Sequence, residues 1–207
     1  LSLTFNPKYK KAFMPLVEKV SFASFGDINE LRSVVDADTG FIILEPIQGE
    51  SGINVAPEGF LQEVRKLCNE KGIVLIFDEI QAGLGRTGRL WACEHWNTAP
   101  DILCLAKGIA GGVPMGATLV RPDILAAISK GEHSSTFGGN PLSCAAGIAT
   151  LRALTEDGLI ENSEKMGIVF REGLEKLKEK HNIIREVRGK GLMIGVELKF
   201  EEIGRAH

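Results

Sequence analysis

The run Ile73-Val74-Leu75-Ile76-Phe77-Asp78-Glu79-Ile80-Gln81-Ala82-Gly83 decides how this chain is read. Its apolar part, Ile73–Phe77, suits a strand buried on both faces of a sheet. The strand ends in two carboxylates and a turn that carries a glycine. In open α/β sheets, ligands gather at the carboxyl ends of strands. An acid at that edge must be paired or hydrogen-bonded, because burying a lone charge is costly. A structural ion pair meets that need as well as a ligand does.

Working outward, other short apolar runs resemble it. Phe41–Leu44 and Ile102–Leu105 read as buried strands, as does Val20–Ala23, and Ala117–Val120 reads as another strand, closed by Arg121-Pro122. Helical patterns lie between them. Asp27–Val35 has Asp27 as its N-cap, and Pro57–Glu70 places Phe60, Leu61, Val64, Leu67 and Cys68 on one face before Gly72 stops it. A further helix is expected from Asp123 to Ser129. Strand and helix in alternation give an α/β fold with a mostly parallel sheet and right-handed crossovers. The last third changes character. Pro141–Leu154 and Asn162–Lys180 read as helices. In the second, Met166, Val169, Phe170, Leu174 and Leu177 form a stripe expected to face the core. Ile183–Val187 and Leu192–Leu198 read as strands. A smaller α+β piece is expected to begin near Leu159, which divides the chain into 1–158 and 159–207.

Composition narrows the function classes. Of 207 residues, 44% are hydrophobic and 25% charged, as in an ordinary globular protein. The net charge of −3 argues against a nucleic-acid or anionic-membrane surface. Cys68, Cys93, Cys104 and Cys144 make no CxxC pair, so no metal site is expected and reduced thiols in a cytoplasmic protein are. No signal peptide or membrane-length apolar run is read.

Four more stretches carry polar groups of chemical interest. Lys107 follows the Ile102–Leu105 run, beside Gly111-Gly112. A lysine in a closed, dry site has a lowered pKa, and the neutral amine can form a Schiff base with a carbonyl; a surface lysine is the plainer reading. Glu45-Pro46-Ile47-Gln48-Gly49-Glu50 follows another strand. His133-Ser134-Ser135-Thr136-Phe137-Gly138-Gly139-Asn140 offers hydroxyls and glycine amides, either as a phosphate cradle or as a turn and helix cap. Arg188 sits beside Gly189, where its fork could take a carboxylate. An acid, a lysine and a phosphate cradle along one sheet edge suit pyridoxal 5'-phosphate (PLP).

With these residues in view, the chain resembles the class III, ornithine-type, PLP-dependent aminotransferases, nearest to acetylornithine and LysW-γ-lysine aminotransferases. The resemblance runs from about Leu3 to Lys199. It rests on DEIQ and GRTG, on DILCLAKG, on STFGGNP and on RGKGLMIGVEL, in order, with Asp78 and Lys107 29 residues apart. It implies the PLP-transferase type I fold. Lys107 resembles the Schiff-base lysine, Asp78 the acid on the pyridine nitrogen and Gln81 the partner of the ring hydroxyl. Thr136, with Ser135 beside it, resembles the residue that reaches the phosphate of the other subunit's cofactor, which implies a homodimer with shared sites. Glu50 and Arg188 resemble a gating pair, in which Arg188 holds 2-oxoglutarate and Glu50 masks it while the amino donor is bound; Glu45 has a supporting role.

Family members are roughly twice this length. The resemblance therefore also implies that a ring-stacking aromatic, a phosphate-binding Ser-Gly-Thr loop and a carboxylate-binding arginine lie upstream of this chain, and Phe200–His207 departs from the family pattern. Other readings stay open. One is a 4-aminobutyrate or β-alanine aminotransferase, or glutamate-1-semialdehyde aminomutase. Another is a non-catalytic scaffold. A nucleotide-binding domain is weak, because the chain has no GxGxxG after a strand and no GxxxxGK[ST].

Overall fold

The computed structural model describes residues 1–199, so Phe200–His207 lies outside the described residues. The chain forms two compact units, Leu1–Thr39 and the part from Gly40 onward.

The first unit holds α1 (Pro7–Lys10) and α2 (Ile28–Val34). Asp27 caps α2 as expected, accepting from the Asn29 and Glu30 amides at 2.9 Å each. The strand expected at Val20–Ala23 does not form. An apolar run becomes a strand only when a neighbour takes its backbone hydrogen bonds. Here Phe22 is 37% exposed, packs edge-on against Phe5 and lies under the Lys10 ammonium.

The second unit is built on a four-stranded sheet. Its strands are β1 (Phe41–Leu44), β4 (Val74–Asp78), β5 (Ile102–Leu105) and β6 (Ala117–Val120), side by side in that order. The short strands β2 (Ile47–Gln48) and β3 (Asn54–Val55) pair antiparallel just after β1. In the large sheet β1, β4 and β5 run parallel, and β6 returns antiparallel to β5. Between β3 and β4, α3 (Phe60–Lys71) buries the five residues read from its periodicity, and Gly72 ends it in the left-handed conformation at φ 70°. Leu75 and Phe77 of β4 and Leu61 and Val64 of α3 are fully buried, so the core lies under the strand that carries Asp78.

The opposite end of the sheet is pinned by Asp101, which is 5% exposed. Its carboxylate accepts from the Leu75 amide at 2.7 Å, from Arg65 of α3 at 2.8 Å and from Arg121, just after β6, at 2.7 Å. Burial works to raise this carboxyl, but the hydrogen bonds from Leu75, Arg65 and Arg121 outweigh it and hold it below its ordinary range.

After β6 the expected helix shrinks to one turn, α4 (Pro122–Leu125). Then α5 (Pro141–Glu156) and α6 (Leu159–Lys180) lead to the hairpin of β7 (Ile184–Lys190) and β8 (Met193–Leu198). The apolar stripe of α6 does not face the core as expected. Met166, Val169, Phe170 and Leu177 are exposed and line an open groove with Leu174 and Leu192. The buried side of α6 is Ser163 and Gly167. Small residues win that face because the backbone of Gly191 passes so close that any Cβ on Gly167 would overlap it. Ser163 donates to the Arg86 carbonyl at 3.0 Å, and the Leu192 amide donates to the same oxygen at 3.0 Å. The Gly85–Arg89 loop is thus the seat of both α6 and the β7–β8 turn. Among the described residues no helix is long and apolar enough to cross a membrane.

Candidate active site

The parallel strands β4 and β5 end side by side, with Asp78 opposite Cys104. That pairing places Asp78 and Lys107 on one edge although 29 residues separate them. The half-buried Asp78 turns one oxygen, Oδ1, back to the Ile80 amide at 3.0 Å.

Lys107 opens a short 3-10 helix, Lys107–Ala110, directly after β5. Its φ is 48°, a left-handed conformation that L side chains other than Asn and Asp seldom adopt. Strain of this kind persists only where the surroundings hold it, and it concentrates at functional sites. The Lys107 ammonium donates to Gln81 Oε1 at 3.2 Å. Lysine and glutamine, read separately in the sequence, therefore meet.

Behind Gln81 stands Gly49. A Cβ added there would overlap the Gln81 amide, so the glycine keeps the place where that amide sits. Gly49→Ala should leave the fold within about 1 kcal/mol of the parent, because a side-chain end can move aside. It should nevertheless push Gln81 off Lys107 and weaken PLP binding. Denaturation and a PLP titration of the same variant check both halves.

Glu45 lies on the same edge, and its carboxylate accepts from the Gly49 amide at 2.9 Å. Burial pushes its carboxyl up and the Gly49 amide opposes this; Asp78 and Glu50 add to the rise, while Lys107 pulls it down. These charged groups thus share one electrostatic neighbourhood.

Arg188, on β7, reaches the same loop. Its Nε donates to the Gly52 carbonyl at 2.8 Å, and its Nη1 sits on Glu197 at 2.6 Å and on Glu186 at 2.8 Å. Glu50 is exposed, and the guanidinium is held by Glu197 and Glu186 rather than by it. The RGKGLMIGVEL run contains Glu197 but does not mark it as a partner of Arg188, and Glu186 lies just outside that run. The two glutamates lie directly opposite each other across the hairpin, where two like charges need a cation between them.

Ser135 and Thr136 lie on a wholly exposed loop whose Phe137 is 81% exposed. The loop ends at Asn140, which caps α5 by accepting from the Ser143 amide at 2.9 Å. The cap reading holds for Asn140, while both hydroxyl residues stand apart from Asp78, Gln81 and Lys107 in the contacts they make. The paired carboxylates also part company. Glu79 is fully buried, accepting from the Ala92 and Cys93 amides at 2.6 and 2.8 Å.

A strained lysine bonded to a glutamine, beside an acid at a strand end, fits the pyridine side of PLP. The comparisons bear on the family and its cofactor. The aminotransferase class-III family model matches residues 1–205. The chain belongs to the class-III aminotransferases. These are PLP-dependent enzymes. The chain is 46% identical over 202 residues to the acetylornithine aminotransferase of Methanopyrus kandleri, covering 98% of this chain and 51% of that protein. It is 46% identical over 209 residues to the [LysW]-aminoadipate semialdehyde transaminase of Deinococcus radiodurans, covering 100% and 48%. The ornithine aminotransferase of Toxoplasma gondii, in a structure with partial occupancy of PLP at the active site, superposes with a TM-score of 0.93 at 38% identity, covering 96% of this chain and 47% of that one. This class-III chain spans about half the length of the curated relatives it matches.

Proposed function

We propose that the whole protein moves the ω-amino group of acetylornithine, or of ornithine or LysW-bound lysine, to 2-oxoglutarate, in arginine or lysine biosynthesis in the cytoplasm. The observation that carries this reading is the meeting of Lys107 with Gln81 at 3.2 Å, on the sheet edge that Asp78 closes. PLP, when bound, supplies an electron sink for the carbanion that forms at the substrate carbon.

The residues of this chain divide the remaining work. Lys107 holds the cofactor aldehyde between turnovers and carries the proton to and from the substrate carbon. Asp78 keeps the ring nitrogen protonated through its carboxylate, and Gln81 orients the ring hydroxyl. Thr136 and Ser135 reach the phosphate bound by a second copy of the protein, a role supported by the exposure of their loop. Residues 1–158 are then part of the large cofactor-binding domain, and 159–207 begin the small C-terminal one.

Arg188 and Glu50 discriminate the substrates. One pocket must take an amino donor and then a dicarboxylate, and fixed charges cannot favour both. Arg188 supplies the cation for the dicarboxylate, and Glu50, exposed near the Gly52 turn, supplies the anion that balances it in the donor half-reaction. The test uses the full-length protein loaded with PLP. Acetylornithine should outrun 4-aminobutyrate, and Arg188→Ala should raise KM for 2-oxoglutarate about tenfold or more while sparing the donor half-reaction. A preference for 4-aminobutyrate would move the protein to another class-III activity. An Arg188→Ala variant that slows both half-reactions equally would remove the gate.

A further inference from the structure

Glu79 is unlike its neighbour Asp78: it faces the protein interior, is 0% exposed and makes no use of the sheet edge. Its carboxylate takes the first two amides of the 3-10 helix Ala92–Trp96, from Ala92 to Oε2 and from Cys93 to Oε1. Those amides have no partner within that helix, so Glu79 acts as its cap from 13 residues away. The backbone of Glu79 is tied as firmly. Its N–H donates to the Cys104 carbonyl at 3.0 Å, on the strand that leads to Lys107, and its own carbonyl accepts from Gly83 at 3.0 Å, closing the turn that carries Gln81. A Cβ on Gly83 would stand 3.0 Å from both the Glu79 carbonyl and Oε2, so the turn closes directly on this residue.

We infer that Glu79 is the positioning residue of the cofactor site: its buried carboxylate anchors the turn that sets Asp78 and Gln81 in register with Lys107. The inference rests on the reading of Asp78, Gln81 and Lys107 given above. Asp78 precedes Glu79 by one residue and Gln81 follows it by two, so a rotation of the Glu79 backbone displaces both. Misplacement of a reacting group by about 1 Å can cost about 100-fold in rate, and the Gln81–Lys107 bond at 3.2 Å tolerates only a small shift. Burial raises the Glu79 carboxyl, and the Cys93 and Ala92 amides oppose that rise. The anchor is the pair of amide bonds from Ala92 and Cys93 at 2.6 and 2.8 Å. Glutamine in its place keeps the volume but turns an NH2 group towards one of the two amide donors.

The test compares Glu79→Gln and Gly83→Ala with the parent in the full-length protein, stripped of PLP and then titrated with it. Three quantities are read: the melting temperature without PLP, the Kd for PLP, and the pH midpoint of the absorbance band of the bound cofactor. Both variants should raise the Kd about tenfold and move the pH midpoint, beyond any loss of melting temperature. If melting temperature alone falls, with Kd within twofold and an unmoved midpoint, Glu79 is purely structural and the inference fails. Should Glu79→Gln not fold, Gly83→Ala decides by the same criterion, and loss of the fold in both variants also overturns the inference. Asp78→Asn separates the two levels. If it too leaves PLP binding unchanged, the site reading itself is wrong; if it weakens binding while Glu79→Gln does not, only the positioning role falls.

Discussion

Lys107→Ala should cut turnover of the PLP-loaded, full-length protein by about 10⁴-fold or more, since it removes both the covalent tether and the proton carrier. Lys107→Arg should be nearly as damaging. It keeps the positive charge next to Gln81, but a guanidinium does not give up its proton at working pH. The pair of variants therefore separates charge from amine chemistry. Both should fold, because the Lys107 side chain is exposed and contributes little core. Single-turnover kinetics of a donor with the bound cofactor would read the loss. Borohydride treatment of the parent, followed by peptide mass analysis, should find a pyridoxyl group on Lys107. Activity of Lys107→Ala within tenfold of the parent would end the assignment.

The second large effect is on stability. Asp101→Ala should destabilise the fold by about 3–5 kcal/mol, the range for removing one partner of a buried ion pair. Of its two cationic partners Arg65 is the more buried, its side chain 19% exposed against 53% for Arg121. The Arg65 Nε already lacks a hydrogen-bond partner among the described residues, so this guanidinium depends on Asp101. Arg121, half in water, adds only a fraction of a kcal/mol. The Leu75 amide would also lose its acceptor at the start of β4. Because the folded-state carboxyl is held below its ordinary value of 3.8, this stabilisation is present above that value. It fades as pH falls through the lower folded-state value, when the unfolded chain has already taken up its proton. Denaturation curves of parent and variant should accordingly lie far apart at neutral pH and converge in strong acid. A gap under about 1 kcal/mol at neutral pH would mean that Asp101 is no clamp.

Much of the site is legible in the chain alone. Asp78, Gln81 and Lys107 each follow an apolar run, and parallel strands in one sheet bring such ends together. The sorting of Asp78 from Glu79 is not legible, because alternation along a strand says that neighbours face opposite ways without saying which way is inward. Asp101 carries only a faint signal, an acid placed between Pro100 and a buried run, and nothing nearby in the chain names its partners. The Gly85-Arg86-Thr87-Gly88 loop reads as no more than a family mark. Its job as the seat of α6 and of the β7–β8 turn depends on segments about 75 to 105 residues further on. Val20–Ala23 shows the reverse case, in which strand-like composition meets no strand to pair with among the described residues.

Local pattern and motifs in fixed order are enough to specify the α/β class, the elements of the large sheet, the cap at Asp27, the stop at Gly72 and the family. It takes the packed chain to turn Glu79 inward, to gather two arginines on Asp101, to leave the α6 stripe lining an open groove and to rest Arg188 on Glu197 and Glu186. The turning of Glu79 and the clamp on Asp101 depend on which distant groups come within about 3 Å, and a hydrogen bond across the fold leaves no periodicity in the chain that makes it.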